Sequence, residues 1–241
     1  MSKTLYHYDP KTGLLVSSST AQVDVKASVN KEVYIIPPFS TFQVPPVVEE
    51  SARVAKFNTI TNSWTVVDDF RGYEVVNKET KEIVIWTEIG PIPEQYTFDI
   101  YERELKPYIV YSDTGWVLSD TGRADLIDAI WKLRKCNREI ECSSDIEYKG
   151  HLIHVDAVSF NDIMLAAQEA ILSGDMTTSK RWVTADNLDV QLNGNDFVAI
   201  AKLYGARRQK LVYESNEAWK ADTEASDEEL IEIFRDLKRG E

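Results

Sequence analysis

Hydrophobic and polar positions alternate along the first third of the chain, and the period changes to a helical one near residue 120. Leu5–Tyr8 and Leu14–Ser17 flank Asp9-Pro10-Lys11-Thr12-Gly13, a polar turn, which predicts an N-terminal hairpin. Ala21, Val23, Val25, Ala27 and Val29 alternate with Gln22, Asp24, Lys26 and Ser28, the period-two pattern of a half-buried strand. Pro37-Pro38 and Pro45-Pro46 then bracket Phe39–Val44. Proline fixes φ and lacks a donor, so this stretch is expected as an extended linker lying over a surface, not as a central strand or helix. Two more hairpins follow. Arg53–Phe57 pairs with Ser63–Val67 across 58–62, and Gly72–Val76 pairs with Glu82–Trp86 across 77–81, both with Val, Ile and aromatic residues in the strands and Asn, Thr and Lys in the turns. Gly90-Pro91-Ile92-Pro93 breaks the pattern, and residues 94–118 are aromatic without a clean period.

From about residue 120 the apolar spacing is three to four. Ile127, Ile130, Trp131 and Arg134 line one side of a helix over Ala124–Asn137. Ile146–Tyr148 and Leu152–Val155 flank Lys149-Gly150, a two-residue hairpin signal. Ser159-Phe160-Asn161-Asp162 reads as the start of a helix that runs to Leu172 and stops at Ser173-Gly174. Trp182–Thr184 and Asp189–Leu192 read as short strands about Ala185-Asp186-Asn187. Asn195 is placed to cap a helix over Asp196–Tyr204, and a helical pattern resumes through Lys210–Lys220. Ser226-Asp227-Glu228-Glu229 is a capping box opening a last helix whose apolar positions are Leu230, Ile233, Phe234 and Leu237.

Strands segregated from helices predict an α+β protein, with a strand-rich N-terminal half of antiparallel hairpins and a helix-rich C-terminal domain with small hairpins. The expected division is a β domain over 1–93, an aromatic-rich connector over 94–120, and a C-terminal domain over 121–241 ending in an acidic helix.

A hydrophobic fraction of 43% in 241 residues is that of a folded chain, large enough for one good core or two small ones. The formal net charge of −13 repels phosphate backbones and argues against nucleic-acid binding. The charge is uneven: Glu214–Glu241 holds ten acids and four bases, just after a basic knot, Arg207-Arg208-Gln209-Lys210, expected as a solvated helix face. Cys136 and Cys142 are too few for a disulfide framework and are expected as free thiols. No apolar run approaches the ~20 residues of a membrane span, and Met1-Ser2-Lys3-Thr4 opens on polar sequence, so no membrane partner is expected and the product is expected in the cytoplasm when made.

Candidate chemistry is sparse. His151 and His154 have opposite strand parity, and His154 with Asp156 supplies two ligands, too few for a zinc site, so no metal and no cofactor are expected. No Gly-x-Ser-x-Gly elbow or Gly-rich phosphate loop occurs. Carboxylate pairs such as Asp68-Asp69 or Asp113 with Asp120 could in principle serve a glycosidase, but 40 acids make such pairs common by chance, and no catalytic residue is assigned. Trp64, Trp86 and Trp131 lie on apolar patterns and read as core. Tyr96, Tyr101, Tyr108 and Tyr111 are candidates for an exposed contact surface, because tyrosine supplies large area at small entropy loss.

Two regions carry a resemblance. The first is Pro45-Pro46, then Trp64, then Asp68-Asp69-Phe70-Arg71-Gly72, a hairpin, and Gly90-Pro91-Ile92-Pro93. It is similar to the phage tail fibre assembly protein family. The second is Tyr148-Lys149-Gly150-His151, Asp156, Ser159, then Arg181-Trp182-Val183-Thr184-Ala185-Asp186-Asn187 and Leu192. It resembles an uncharacterised domain often found at the C-terminus of phage tail-fibre proteins. The resemblance covers roughly 37–93 and 123–213. It implies a non-enzymatic assembly chaperone that binds the distal end of a trimeric tail fibre, promotes its folding and trimerisation in the host cytoplasm, and in some cases stays on the virion. The alternative is a structural or receptor-binding component of the fibre tip that contacts a host surface receptor. Under either, Trp64, Asp69 and Arg71 join the tyrosines as partner-contact candidates. Gly72 permits the tight turn, and a surface arginine makes planar bidentate contacts; the competing reading is that Asp69 and Arg71 only tie two hairpins together.

Overall fold

Turn chemistry near the N-terminus sets the first sheet. In the computed structural model, which describes residues 3–28 and 32–240, the Asp9 carboxylate accepts from Lys11 N, Thr12 N and Thr12 Oγ1, closing a loop between β1 (Thr4–Tyr8) and antiparallel β2 (Leu15–Thr20). β3 (Ser40–Thr41) adds to the other side of β1, so the sheet order is β2-β1-β3. The proline-bracketed segment is thus partly paired: two residues reach the sheet, at its edge, where the flanking prolines cost no ladder bond.

The alternation at 21–28 does not make a regular strand. Val23 forms an isolated bridge with Tyr34, and Val25 is exposed. Asp24 Oδ1 accepts from Lys26 N and Ala27 N, and Ser28 N donates to Asp24 O. A side-chain-capped turn has displaced the ladder. Val29, the end of that expected strand, lies outside the described residues, as do Met1, Ser2 and Glu241.

β4 (Arg53–Asn58) and β5 (Ser63–Asp68) form the first internal hairpin, with Phe57 opposite Trp64. β6 (Glu74–Asn77) and β7 (Ile83–Ile85) form the second. β8 (Tyr96–Thr97) pairs with the free side of β6, giving the order β7-β6-β8 and burying Val75 and Val76 on the central strand completely. A short 3-10 turn, Arg103–Leu105, leads to the hairpin of β9 (Ile109–Ser112) and β10 (Gly115–Leu118). The aperiodic aromatic span therefore contributes three strands, β8 paired with the distant β6 and β9 with β10 in a local hairpin. By its contacts the chain divides into two compact units, Met1–Val117 and Leu118–Glu241.

In the second unit, α1 (Asp120–Cys142) is capped by Ser119, whose side chain accepts from Gly122 N. Its buried apolar residues are Leu126, Ile130 and Cys142; of the expected stripe Ile130 is fully buried and Ile127, Trp131 and Arg134 are half-buried, while Leu126 lies outside it. β11 (Ile146–Tyr148) and β12 (His151–Ile153) join through Lys149 and Gly150, both at positive φ (53° and 80°), the geometry of a tight two-residue hairpin turn. α2 (Ala157–Ser173) is capped by Asp156, which accepts from Val158 N and Ser159 N, three residues before the expected cap at Ser159. β13 (Lys180–Val183) pairs with β14 (Asp189–Leu192).

α3 (Gly194–Glu224) is one 31-residue helix where two were expected. Its cap is Asn193, not Asn195. Asn193 Oδ1 accepts from Asp196 N, and Asp196 Oδ2 accepts from Asn193 N, a reciprocal box. α4 (Asp227–Arg239) opens on the expected Ser226–Glu229 box and buries Leu230 and Phe234. Ile146, Ile153, Ile163, Leu192, Phe197 and Ile200 form the core between the small hairpins, α2 and α3. The mixed α+β class and the order of strands before helices are as the hydrophobic pattern predicts.

Candidate interaction surface

The crossing between the two internal hairpins is held by backbone. Asp69 N donates to Ala52 O, Gly90 N to Asp68 O, Gly72 N to Trp86 O, and Tyr73 N to Phe70 O. Gly72 sits at φ +87° with open space where a Cβ would stand, so conformation alone selects glycine there. Arg71 folds back on Asp69: Nε reaches Oδ1 at 2.7 Å and Nη2 reaches Oδ2 at 2.7 Å. This fork–fork bond holds the Asp69 carboxyl below its ordinary value despite the opposing push of burial, and holds Arg71 charged. The Arg71 side chain is 43% exposed, so its outer edge faces solvent while its fork is occupied.

The other contact candidates fall into two groups. Trp64 is half-buried, its Nε1 donates to Gln43 O at 2.8 Å, and its ring lies 5.0 Å from Phe57. Tyr101 is buried, with its hydroxyl on Lys81 O and its ring 4.9 Å from Trp116. Burial holds its phenol protonated above the usual range. Tyr111 donates to Asp99 Oδ2 at 3.0 Å, and Lys78 Nζ stands 4.8 Å from its ring centroid. These three rings are packed into the unit. Tyr96 and Tyr108 are half-buried, Tyr96 with its ring 5.3 Å from Trp86.

The rings that reach the surface are different ones. By strand register Tyr73, Trp86 and Tyr96 share one face of the β7-β6-β8 sheet. Phe98 joins them, its ring 6.3 Å from Tyr73 and 4.9 Å from Phe70, and Phe70 is 6.0 Å from Tyr73. Tyr73 is 41% exposed and Phe98 44%. Arg71 lies between Phe70 and Tyr73 in sequence, so a cation borders this aromatic patch. Tyr73 alternates with Val75, and Phe98 with Tyr96, at period two, but that alternation does not show which face is exposed.

The remaining candidates are occupied structurally. His154 Nδ1 is 2.8 Å from Asp145, and Asp156 caps α2, so the two do not converge on a metal. Among the described residues no group of three His, Cys, Asp or Glu could hold a metal ion, and no helix is long and apolar enough to cross a membrane. Cys136 and Cys142 are free, the first exposed and the second buried. The basic knot is spent on the fold: Arg207 donates to Glu141 O, Ser144 O and Asp145 O at the C-terminus of α1, where a cation meets the helix dipole, and Arg208 pairs with Glu139.

Residues 123–235 match a family described as a domain of unknown function (DUF4376). Among curated proteins, the prophage tail fiber assembly protein homolog TfaR of Escherichia coli (strain K12) matches at 33% identity over 82 residues. The chain is distantly similar to a tail fibre assembly protein. The match spans 34% of this chain and 41% of that protein, well under two thirds of either. No solved structure matches the chain.

Proposed function

We propose that this protein is a non-enzymatic assembly factor for a phage tail fibre. In this reading it binds the distal end of a trimeric fibre protein in the host cytoplasm and promotes its folding and trimerisation. The observation that carries the reading is the 33% identity to a tail fiber assembly protein homolog. The aromatic patch of Phe70, Tyr73 and Phe98, with Arg71 at its border, suits such a role, since exposed aromatics beside an arginine are the residue types that dominate protein interfaces. Among the other contact candidates, Arg71 adjoins Phe70 in the chain and Tyr96 shares the face of Tyr73, while Trp64, Asp69, Tyr101, Tyr108 and Tyr111 are proposed only as further contact residues. A fibre that folds through slow, non-local strand pairing exposes strand edges on the way, and a strand-rich partner shields them.

The test is co-expression with a tail-fibre gene of the same genome, followed by capture on a tag carried by this chain. The fibre protein is expected in the captured fraction with the wild type, and reduced with Tyr73→Ser and Phe98→Ser. Equal capture by a tagged control protein would defeat the reading.

A further inference from the structure

The sheet β7-β6-β8 has one side closed and one side open. On the closed side, β8 pairs with β6, Lys78 N donates to Gln95 O, and Tyr96 N turns back to Pro93 O. On the open side lies β7. Its ladder phase follows from two flanking bonds, Asn77 N to Glu82 O and Trp86 N to Tyr73 O. With Val75 opposite Val84, these put the N–H and C=O groups of 82, 84 and 86 on the side that faces β6. Ile83 and Ile85 are then the non-bonded positions, so their N–H and C=O groups point away from β6. None of these four groups bonds to another described residue. The strand is apolar throughout, with Ile85 65% exposed and Val84 36% exposed, and carries neither the lysine nor the proline that usually blunts an edge.

We propose that the outer edge of Ile83–Ile85 is a docking strand, which an extended segment of the fibre protein joins as a fourth strand of this sheet. The proposal rests on the tail-fibre reading above. Alternating donors and acceptors on an edge are matched by an extended backbone, which bonds to Ile83 and Ile85 in turn. Side chains of the added strand alternate between the aromatic face, beside Val84 and Trp86, and the opposite face, beside Ile83 and Ile85. The segment is therefore apolar on both faces and free of proline at the two bonding positions. A second copy of this chain is a poorer occupant, since each copy carries a net charge of −13 and the two repel.

Amide hydrogen exchange on the full chain, alone and captured with the co-expressed fibre protein, tests this. Alone, the Ile83 and Ile85 amides exchange fast and the Val84 amide is protected; in the complex all three are protected. Ile85→Pro removes an outward N–H that no sheet bond uses and is expected to lower fibre retention by about tenfold, the equivalent of one lost hydrogen bond. Ile85→Lys puts a charge beside the apolar side chains of the added strand and is expected to lower retention as well. Wild-type protein that retains no fibre sinks the tail-fibre reading and this proposal together. Retention with Ile83 and Ile85 still exchanging fast, or with both variants retaining fibre equally, overturns the docking strand alone. Protection of these amides in the chain alone, rising with its concentration, would put a second copy on the edge and also overturn it.

Discussion

Asp196 is the most connected buried charge in the C-terminal unit, and its removal has a calculable effect. It is 4% exposed and sits in the first turn of α3. Its carboxylate accepts from Tyr148 Oη at 2.8 Å, Lys149 Nζ at 2.6 Å and Asn193 N at 3.1 Å, so it pins the β11–β12 turn to the start of the helix. Burial pushes this carboxyl up, and the bonds from Lys149, Asn193 and Tyr148 more than offset the push, leaving it below its ordinary value. The tyrosine bond to a buried carboxylate contributes about 1.5–3 kcal/mol. The capping bond contributes about 0.5–1 kcal/mol. Lys149 is largely exposed and solvent screens its charge, so it is assigned nothing. Asp196→Ala is therefore expected to cost about 3 kcal/mol, and Asp196→Asn, which keeps one acceptor, about half of that. Far-UV circular dichroism in urea reads this directly, since all the α-helices of the described residues lie in the C-terminal unit. A group with a depressed folded pKa stabilises above its unfolded value and loses that contribution as the pH falls through the folded one. The gap between wild type and Asp196→Ala is thus expected in full at neutral pH and to close from about pH 4 downward. A loss under about 1 kcal/mol, or a gap unchanged at low pH, would refute the reasoning.

Other expectations follow from the same geometry. Asp222, 2% exposed, takes a bidentate bond from Arg134 at 2.6 and 2.8 Å; Asp222→Ala leaves a half-buried guanidinium unpaired and is expected to cost about 3 kcal/mol, read by the same urea titration. Gly13 stands at φ +77°, where an added Cβ would meet Phe57 O at only 2.7 Å, whereas Gly72 has open space, so Gly13→Ala is expected to destabilise the N-terminal unit by at least about 2 kcal/mol and Gly72→Ala by about 1. Tryptophan fluorescence, through Trp64 beside Phe57, reports the first of these. Arg71→Ala is expected to leave the helical melt unchanged while weakening fibre capture; capture at the wild-type level would leave Arg71 as a holder of the turn and nothing more.

Elements whose signals are local were legible in the sequence. Lys149-Gly150 specifies its turn by backbone conformation, and Ser226 with Glu229 specifies a helix start within four residues. The α3 reading failed for a long-range reason. Gly205 weakens a helix by about 1 kcal/mol, and the pattern fades there, yet the helix continues. Arg134 on Asp222, Arg138 on Ser215 and Arg207 on the end of α1 all hold it along α1. The buried face of α1 is wider than the expected stripe and takes in Leu126, because α3 and α4 both pack against the helix, and Trp131 meets Trp219 of α3 at 5.9 Å. In the candidate surface, Asp69, Arg71 and Gly72 were legible as a turn. Which aromatics face outward was not, because β8 pairs with a strand some twenty residues earlier and only that pairing puts Phe98 beside Phe70 and Tyr73.

Whether this chain helps a tail fibre assemble is read most directly from the yield of soluble fibre trimer when the fibre gene is expressed with and without it, measured by size-exclusion chromatography with light scattering. Trimer is expected to depend on the chain and to fall with Tyr73→Ser, Phe98→Ser and Ile85→Pro. Trimer formed equally well in its absence would contradict the assembly role.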